Sequence, residues 1–389
     1  MKWLKHGAIA LSSFAMVALS AQAADETRSF QVNNRLRVEY DDNVYERETD
    51  KTESFKVIEE LEFLVNLNLP QTYIGLRYRP SFVWWDDREP DSEDWYHDFD
   101  LVLSHNVSDR LSLSAKDTLR FGEQPQAIDR GSIIRENNDF LYNVADGKVN
   151  YLLNRKSRLE VGYRNTLLRY DDDEVAETED FDINAAGATL RHQWKASTVL
   201  AADYRFETIE YEGPDRGSDS HYVGGGVEQT FSPSFLANAR AGYQLKQFNA
   251  DDIDDGNDPY FDASLTYLPS PRTRITGGAA YSMLEADVFP FANQDRSIIF
   301  LSLAHDLTAK VSLYASGSFQ LSEYNAEEQV GDDIFEDGDE QTTQFGTRAS
   351  YKITRNNSVE IGWQFLDLQS EFREEFDRNR VDVGWRVKI

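Results

Sequence analysis

From about residue 30 to the last residue, apolar and polar side chains alternate with a period of two. Leu36, Val38 and Tyr40 share one face of a segment, as do Leu61, Phe63, Val65, Leu67 and Leu69 in the next. Ile74, Leu76, Tyr78, Phe82 and Trp84 form a third stripe, with Pro80 on the same face. The pattern recurs downstream in Phe235, Ala237, Ala239, Ala241, Tyr243 and Leu245, in Val311, Leu313, Ala315, Phe319 and Leu321, and in Phe345, Ala349, Tyr351 and Ile353. Successive strand residues point to opposite faces, so this periodicity predicts strands with one apolar and one polar side.

The connections fall into two classes. Tight turns are expected near 70–72, 108–110, 154–156, 195–197, 232–234, 269–271, 308–310 and 355–357, where Pro, Ser, Asn and Asp punctuate the stripes. Longer, acidic connections are expected at 43–53, 86–93, 123–137, 171–179, 212–219, 250–258, 286–295, 325–339 and 370–375. Eight turns and nine loops join about 18 strands. Alternating short turns and long loops are the habit of bacterial outer-membrane barrels, which put the turns in the periplasm and the loops outside. The fold class expected is therefore all-β, a closed antiparallel transmembrane β-barrel of about 18 strands, with both termini on the periplasmic side.

A soluble sandwich shows the same alternation, and aromatic placement separates the two. Tyr40, Trp84, Trp95, Tyr96, Tyr163, Trp194, Tyr204, Tyr243, Tyr267 and Trp363 stand toward the ends of apolar stripes, where a girdle at lipid headgroup level is expected. Some positions resist the register. Glu59 and Asp117 fall on the apolar side of their strands, and 139–153 and 181–194 change phase midway, which predicts bulges.

The chain ends support export and membrane insertion. Lys2 and Lys5, the apolar run Gly7 to Leu19 and the small residues of Ala21-Gln22-Ala23 have the layout of a signal peptide, so 1–23 is expected to be cleaved and 24–389 to form the barrel. The apolar run is shorter than the roughly 20 residues a spanning helix needs. At the other end Val381, Val383, Trp385, Val387 and Ile389 share one face, resembling the terminal signal that barrels present to their assembly machinery, although Ile389 stands where Phe or Trp is usual.

Charge narrows the function. The 389 residues carry a net charge of −29, which argues against nucleic acid as a partner. There is no cysteine, hence no disulfide and no thiol chemistry. A mean hydropathy of −0.60 leaves no helical span beyond the leader, yet 7 Trp, 19 Tyr and 23 Phe are too many for a disordered acidic chain.

On this register the inward set includes Arg35, Arg37, Arg77, Arg79, Arg120, Arg164, Arg205, Arg240, Arg274, Arg348, Arg380 and Arg386, with Lys56, Lys116, Lys246, Lys310 and Lys352. Carboxylates interleave at Glu39, Glu60, Glu62, Asp98, Asp100, Glu160, Asp203, Glu207, Glu228, Asp262, Glu360 and Asp382. Two readings follow. Charged ladders pair across strands and hold a polar interior in register. An arginine-rich wall also selects anions or acidic sugars, because the planar guanidinium grips carboxylate and phosphate.

Acid clusters at Asp171 to Glu174, Asp251 to Asp258 and Asp332 to Glu340 fit a solvated rim, with divalent-cation bridging to lipopolysaccharide as the second reading. The calcium-loop pattern fails, since from Asp252 a required oxygen ligand falls on Gly256. No nucleotide, phosphate-cradling or zinc motif is present, and no cofactor is expected. A hydrolytic barrel would need a nucleophile, a histidine and an acid at the outer rim. Only His97 and His221 fall near that side, the latter in Ser218-Asp219-Ser220-His221.

The last hairpin, Ser358-Val-Glu-Ile-Gly-Trp-Gln-Phe-Leu-Asp-Leu-Gln-Ser370 followed by Asp377-Arg-Asn-Arg-Val381, and strands of the Glu-Val-Gly-Tyr-Arg164 kind resemble the putative β-barrel porin 2 family of Gram-negative outer-membrane proteins. The resemblance implies an outer-membrane channel, in some members associated with exopolysaccharide systems, and brings no catalytic residues. The sequence thus reads as a passive channel for small hydrophilic, anionic solutes. Its expected partners are outer-membrane lipid, lipopolysaccharide and, through Val381 to Ile389, the barrel assembly machinery. The alternatives are an export barrel for an acidic polysaccharide, an outer-membrane hydrolase, and a scaffold plugged by segment 123–137.

Overall fold

The computed structural model describes residues 29–88, 92–122, 126–127, 133–134, 138–213, 217–249, 255–286, 288, 291–326 and 337–389. Eighteen antiparallel strands form one continuous sheet. In chain order the first five are β1 (Phe30–Asp41), β2 (Ser54–Asn68), β3 (Thr72–Trp85), β4 (Glu93–Asn106) and β5 (Leu111–Gly122). Two-residue strands β6 (Gln126–Ala127) and β7 (Ile133–Ile134) follow, and they pair only with each other. The barrel resumes with β8 (Phe140–Leu152), β9 (Ser157–Tyr170), β10 (Phe181–Lys195), β11 (Thr198–Tyr211), β12 (Ser218–Ser232) and β13 (Phe235–Phe248). The remainder are β14 (Gly256–Ser270), β15 (Thr273–Glu285), β16 (Phe291–Asp306), β17 (Val311–Ala326), β18 (Gly338–Lys352), β19 (Asn357–Ser370) and β20 (Phe376–Lys388). Each barrel strand pairs with the next one along the chain, and β1 pairs with β20 from Asn33↔Lys388 to Asp41↔Arg380, so the sheet closes without an edge. At this strand number a barrel encloses a wet lumen rather than a packed core.

Local chemistry accounts for the tight connections. In the turn after β8, Asn154 Oδ1 accepts from the backbone N–H groups of Lys156 (2.9 Å) and Ser157 (3.0 Å). Thr308 Oγ1 does the same for Lys310 (3.1 Å) and Val311 (3.0 Å), and Thr354 Oγ1 accepts from Asn357 N–H (3.1 Å). Such side chains replace water on backbone donors that the strand ladder cannot reach. The expected turns and long connections fall at the junctions between these strands.

The outer face is the exposed apolar one. Leu36, Val38, Leu61, Leu67, Leu76, Trp84, Trp95, Leu113, Phe121, Tyr163, Trp194, Tyr204, Tyr243, Tyr267, Trp363, Val383 and Trp385 are all exposed large hydrophobics. Tyr96 departs from the expectation. It lies on the opposite face of β4 from Trp95 and packs on Ile58, Val83 and Trp85 inside the barrel.

The phase changes do not arise from bulges. β8 pairs without a break with both neighbours, and the one register shift in β10 sits at Gln193/Lys195, beside a turn. Instead, apolar residues turn inward near the loop end. Phe140, Tyr142, Val144, Leu168 and Tyr170 are buried together and are covered by Val175, Ala176 and Phe181. Helix α1 (Asp173–Glu179) brings Val175 and Ala176 to this patch. Asp172 caps it by accepting from Glu174 N–H (2.9 Å) and Val175 N–H (3.2 Å), with Asp173 and Glu174 in its first turn, where a helix favours negative charge. Similar inner clusters join Ile58, Val83 and Trp85 with Val44, and Ala286, Phe291 and Tyr324 with Phe372.

Glu59 and Asp117 remain on the outer face, in unbroken register. Each is held by a carboxamide: Asn34 Nδ2 donates to Glu59, and Asn143 Nδ2 donates to Asp117 at 2.7 Å. A hydrogen-bonded carboxylate is less unfavourable beside lipid than a bare one.

Candidate functional site

The faces opposite the apolar stripes form the interior of the closed sheet, and their chemistry differs around the circumference. On β18 to β4 most of the charges are locked. Arg35 opposes Glu60 directly across the β1–β2 ladder and pairs with it at 3.0 Å, while its Nε donates to Glu360. Arg37 Nε donates to the same Glu60 (3.1 Å) and Nη1 to Glu39 (3.3 Å). Lys56, opposite Glu39, reaches it at 2.8 Å and Asp41 at 3.4 Å. Arg378 grips Asp41 with two donors, at 2.9 and 2.5 Å, and reaches Glu46 at 2.7 Å. Arg348 is bidentate on Asp382 (3.1 and 2.8 Å) and lies 3.4 Å from Glu360, which Arg386 approaches at 4.0 Å.

The network continues onto β3, β4 and β5. Arg77 donates to Asp100 (2.6 Å) and lies 3.9 Å from Glu62, and Arg79 donates to Asp98 (3.0 Å), which Arg120 approaches at 3.9 Å. At the loop end Trp85 Nε1 donates to Asp94 (2.7 Å), and the Lys56 ammonium lies 4.3 Å from the Trp85 ring centroid. Opposite charges facing each other on adjacent strands are what the alternation of sign from strand to strand dictates.

The wall formed by β11 to β14 is built differently. Here the Arg205 guanidinium stacks 3.8 Å over the Tyr222 ring, and its Nε lies 3.8 Å from Glu207, which accepts instead from the Tyr222 hydroxyl (3.2 Å). Arg240 faces Asp262 across the ladder but forms no ion pair among the described residues. Asp203, Gly224, Gly242 and Tyr260 occupy successive strands in one row. The Tyr260 ring lies along that row, and its hydroxyl donates to Asp203 Oδ2 at 3.3 Å. This path exists because both intervening residues are glycine. A Cβ on Gly224 would sit 2.2 Å from the Tyr260 hydroxyl oxygen, and one on Gly242 would sit 2.5 Å from Tyr260 Cζ.

The other sequence-selected arginines are dispersed. Arg164 on β9 is engaged by neighbours, Arg274 lies exposed near the turn between β14 and β15, and Arg380 opposes Asp41 without an ion pair among the described residues. Lys246 pairs with Glu285 at 2.7 Å. Lys310, expected inside, is a turn residue whose ammonium lies 5.9 Å from the centroid of Tyr351, an outer-face ring. Sequence reasoning missed Arg378, Tyr222 and Tyr260. The run Gly224-Gly225-Gly226 beside Gly242 was a usable signal, because side-chain-free positions on adjacent strands leave room for a large neighbour.

Among the described residues, the two histidines singled out for a hydrolytic site meet tyrosine hydroxyls and not a serine or a carboxylate. His97 and His221 are hydrogen-bonded to Tyr78 (3.0 Å) and Tyr204 (2.8 Å), while Ser218 Oγ donates to Glu285 (2.5 Å). Among the described residues no group of three or more His, Asp or Glu side chains is placed to hold a metal ion. Most of the proposed plug 123–137, together with Asp251 to Asp254 and Asp332 to Glu336, lies outside the described residues. At the α1 loop, burial pushes Asp180 upward from the usual carboxylate range even though it accepts from Tyr170 N–H at 2.8 Å, and burial pushes Asp139 the same way.

Solved bacterial structures have the same fold. Pseudomonas aeruginosa OpdK, solved with vanillate, is 12% identical, with 92% of this chain and 99% of that one covered and a TM-score of 0.50. Pseudomonas aeruginosa OccK2 (OpdF), solved in complex with glucuronate, is 12% identical over 92% and 98% of the two chains, also at 0.50. Pseudomonas aeruginosa OpdQ is 10% identical over 93% and 100%, again at 0.50. At such identities the likeness is one of fold alone. No curated protein matches the chain. The family model described as putative beta-barrel porin 2 matches residues 29–389, nearly the whole sequence, and the chain belongs to that family.

Proposed function

We propose that the barrel is a passive channel for small hydrophilic anions, with the interior arginines as its selective element. Membership of a porin family places the protein in the bacterial outer membrane. The observation that carries the anionic reading is the asymmetry of the interior. Where β18 to β4 pair most of their cations with carboxylates, Arg240 on β13 has no ion pair among the described residues, and Arg205 on β11 has only a 3.8 Å approach to Glu207 in place of a carboxylate hydrogen bond. A guanidinium without a hydrogen-bonded carboxylate in an aqueous bore attracts anions, and its weak hydration lets them leave. The solutes named in the OpdK and OccK2 structures, vanillate and glucuronate, are of the class such a wall accepts.

On this reading 1–23 is a cleaved export signal, the tight turns face the periplasm, the acidic loops face lipopolysaccharide, and Val381 to Ile389 engages the assembly machinery. Purified protein refolded into a planar bilayer tests the channel and its selectivity together. The expected outcome is stable ion conductance with a reversal potential in a KCl gradient on the anion side of neutral. An electrically silent barrel overturns the channel, and a cation-side potential overturns the selectivity.

A further inference from the structure

We infer that Tyr260, Arg205, Arg240 and Asp203 form a single recess on the interior wall that binds a ring-shaped, hydroxylated carboxylate of the uronic acid class. The inference rests on the channel reading above and deepens it by assigning the site and the solute chemistry.

The geometry starts from the glycines. With Gly224 and Gly242 beneath it, Tyr260 lies along the wall with one ring face against backbone, so the other face is presented to the bore. Tyr222 meets Tyr260 nearly edge-on, with centroids 5.8 Å apart and planes at 70°, and fixes its tilt. A flat aromatic surface in water stacks on the apolar face of a sugar ring as readily as on an arene. Arg205 stacks on Tyr222, which meets the Tyr260 ring, and Arg240 stands on β13 two residues from Gly242, over which that ring lies. A ring seated on Tyr260 therefore has a guanidinium on either flank for one carboxylate.

In this recess, among the described residues, Arg205 Nε, a donor, and Asp203 Oδ1, an acceptor, are buried without a hydrogen-bond partner. Buried polar groups left unpaired are unfavourable, so a ligand that satisfies both gains doubly. A carboxylate answers the donor and a hydroxyl answers the acceptor. A solute with only one of the two groups satisfies half of the site.

The test uses the full processed chain in detergent micelles and does not depend on conduction. Saturation-transfer NMR titrations compare D-glucuronate, D-glucose and benzoate. Glucuronate is expected to bind at least tenfold more tightly than either of the others. Arg205→Gln and Tyr260→Leu are each expected to weaken glucuronate about tenfold, with heat-modifiable gel migration showing that both variants still close the barrel. Asp203→Ala removes the acceptor and is expected to bring glucuronate and benzoate toward equal affinity. Equal binding of glucose and glucuronate by the parent overturns the carboxylate assignment, and equal binding of benzoate overturns the hydroxyl assignment. Undiminished glucuronate binding in folded Arg205→Gln and Tyr260→Leu overturns the site itself. If glucuronate binds as expected while the bilayer stays silent, the channel reading fails and this one stands.

Discussion

Two stretches of interior wall face each other across the bore and solve the same problem in opposite ways. β1 and β12 are nine strands apart in either direction around the barrel. Around β1, guanidinium and carboxylate groups alternate so closely that single acids serve several cations: Glu360 meets Arg35, Arg348 and Arg386, and Asp41 meets Lys56 and Arg378. Around β12, glycine, tyrosine and two lightly engaged arginines make the wall. The first arrangement uses charge to hold the closing seam in register. The second leaves charge available to a solute. Counting arginines therefore says little about selectivity, because a guanidinium already satisfied by carboxylates offers a passing anion little.

The largest effect that would sharpen this contrast is expected at the seam. Asp41→Ala removes the fully buried carboxylate shared by Arg378 and Lys56, leaving them only Glu46 and Glu39, and should lower stability by about 3 kcal/mol. Denaturant unfolding of the micelle-bound barrel measures it, and a loss below about 1 kcal/mol would mean that the seam charges are solvated. Next, Gly242→Val drives a branched side chain into Tyr260 and the Val223 carbonyl oxygen, 2.4 Å from the nearest Cβ position. Overpacking of this kind costs about 1–3 kcal/mol, and the displaced ring should be seen as a change in tyrosine near-UV dichroism.

Smaller in stability, but decisive for the comparison, is Arg240→Gln. With no ion pair to lose, unfolding should shift by no more than about 0.5 kcal/mol, while the reversal potential moves toward cations. Arg348→Gln should show the reverse emphasis, because it abandons Asp382 and Glu360. If both variants unfold alike, the two walls are energetically equivalent and the contrast fails.

The smallest effect concerns the rim. Burial raises Asp180 above its unfolded value, so its proton is bound more tightly in the folded loop. The loop should therefore gain stability as pH falls from neutrality through the raised value, and the gain is complete below the ordinary carboxylate range. Arg169 and the carboxylates Glu212 and Asp182 face the same group, with opposite effects. The exchange protection factor at Tyr170, whose N–H donates to Asp180, should rise in mild acid once the intrinsic pH dependence of amide exchange is divided out. A falling protection factor would reverse the sign.

Much of this was legible beforehand. The period-two stripes located the strands, and Pro70, Asn154, Pro233 and Thr308 marked turns that short-range hydrogen bonds do close. Where the reading slipped, long-range packing had overruled the pattern. Phe140, Tyr142 and Val144 looked like a bulge because nothing nearby in sequence announces that α1 will cover them on the inside. Tyr96 looked like a girdle residue because an aromatic at a stripe end is the same residue whether it meets lipid or Trp85.

By itself the sequence determined the all-β class, the number of strands, the alternation of turns and loops, and which face of nearly every strand is apolar. These follow from side-chain polarity and local turn chemistry, which act over a few residues. Only the tertiary structure decided which arginines are neutralised. Arg35 and Glu360 are 325 residues apart, and Asp41 and Arg378 are 337 apart, yet closure makes them neighbours. The same closure sets Tyr260 over two glycines of adjacent strands. Charge pairing falls off within a few ångströms, so the electrostatics of this wall did not exist until the sheet had met its own edge.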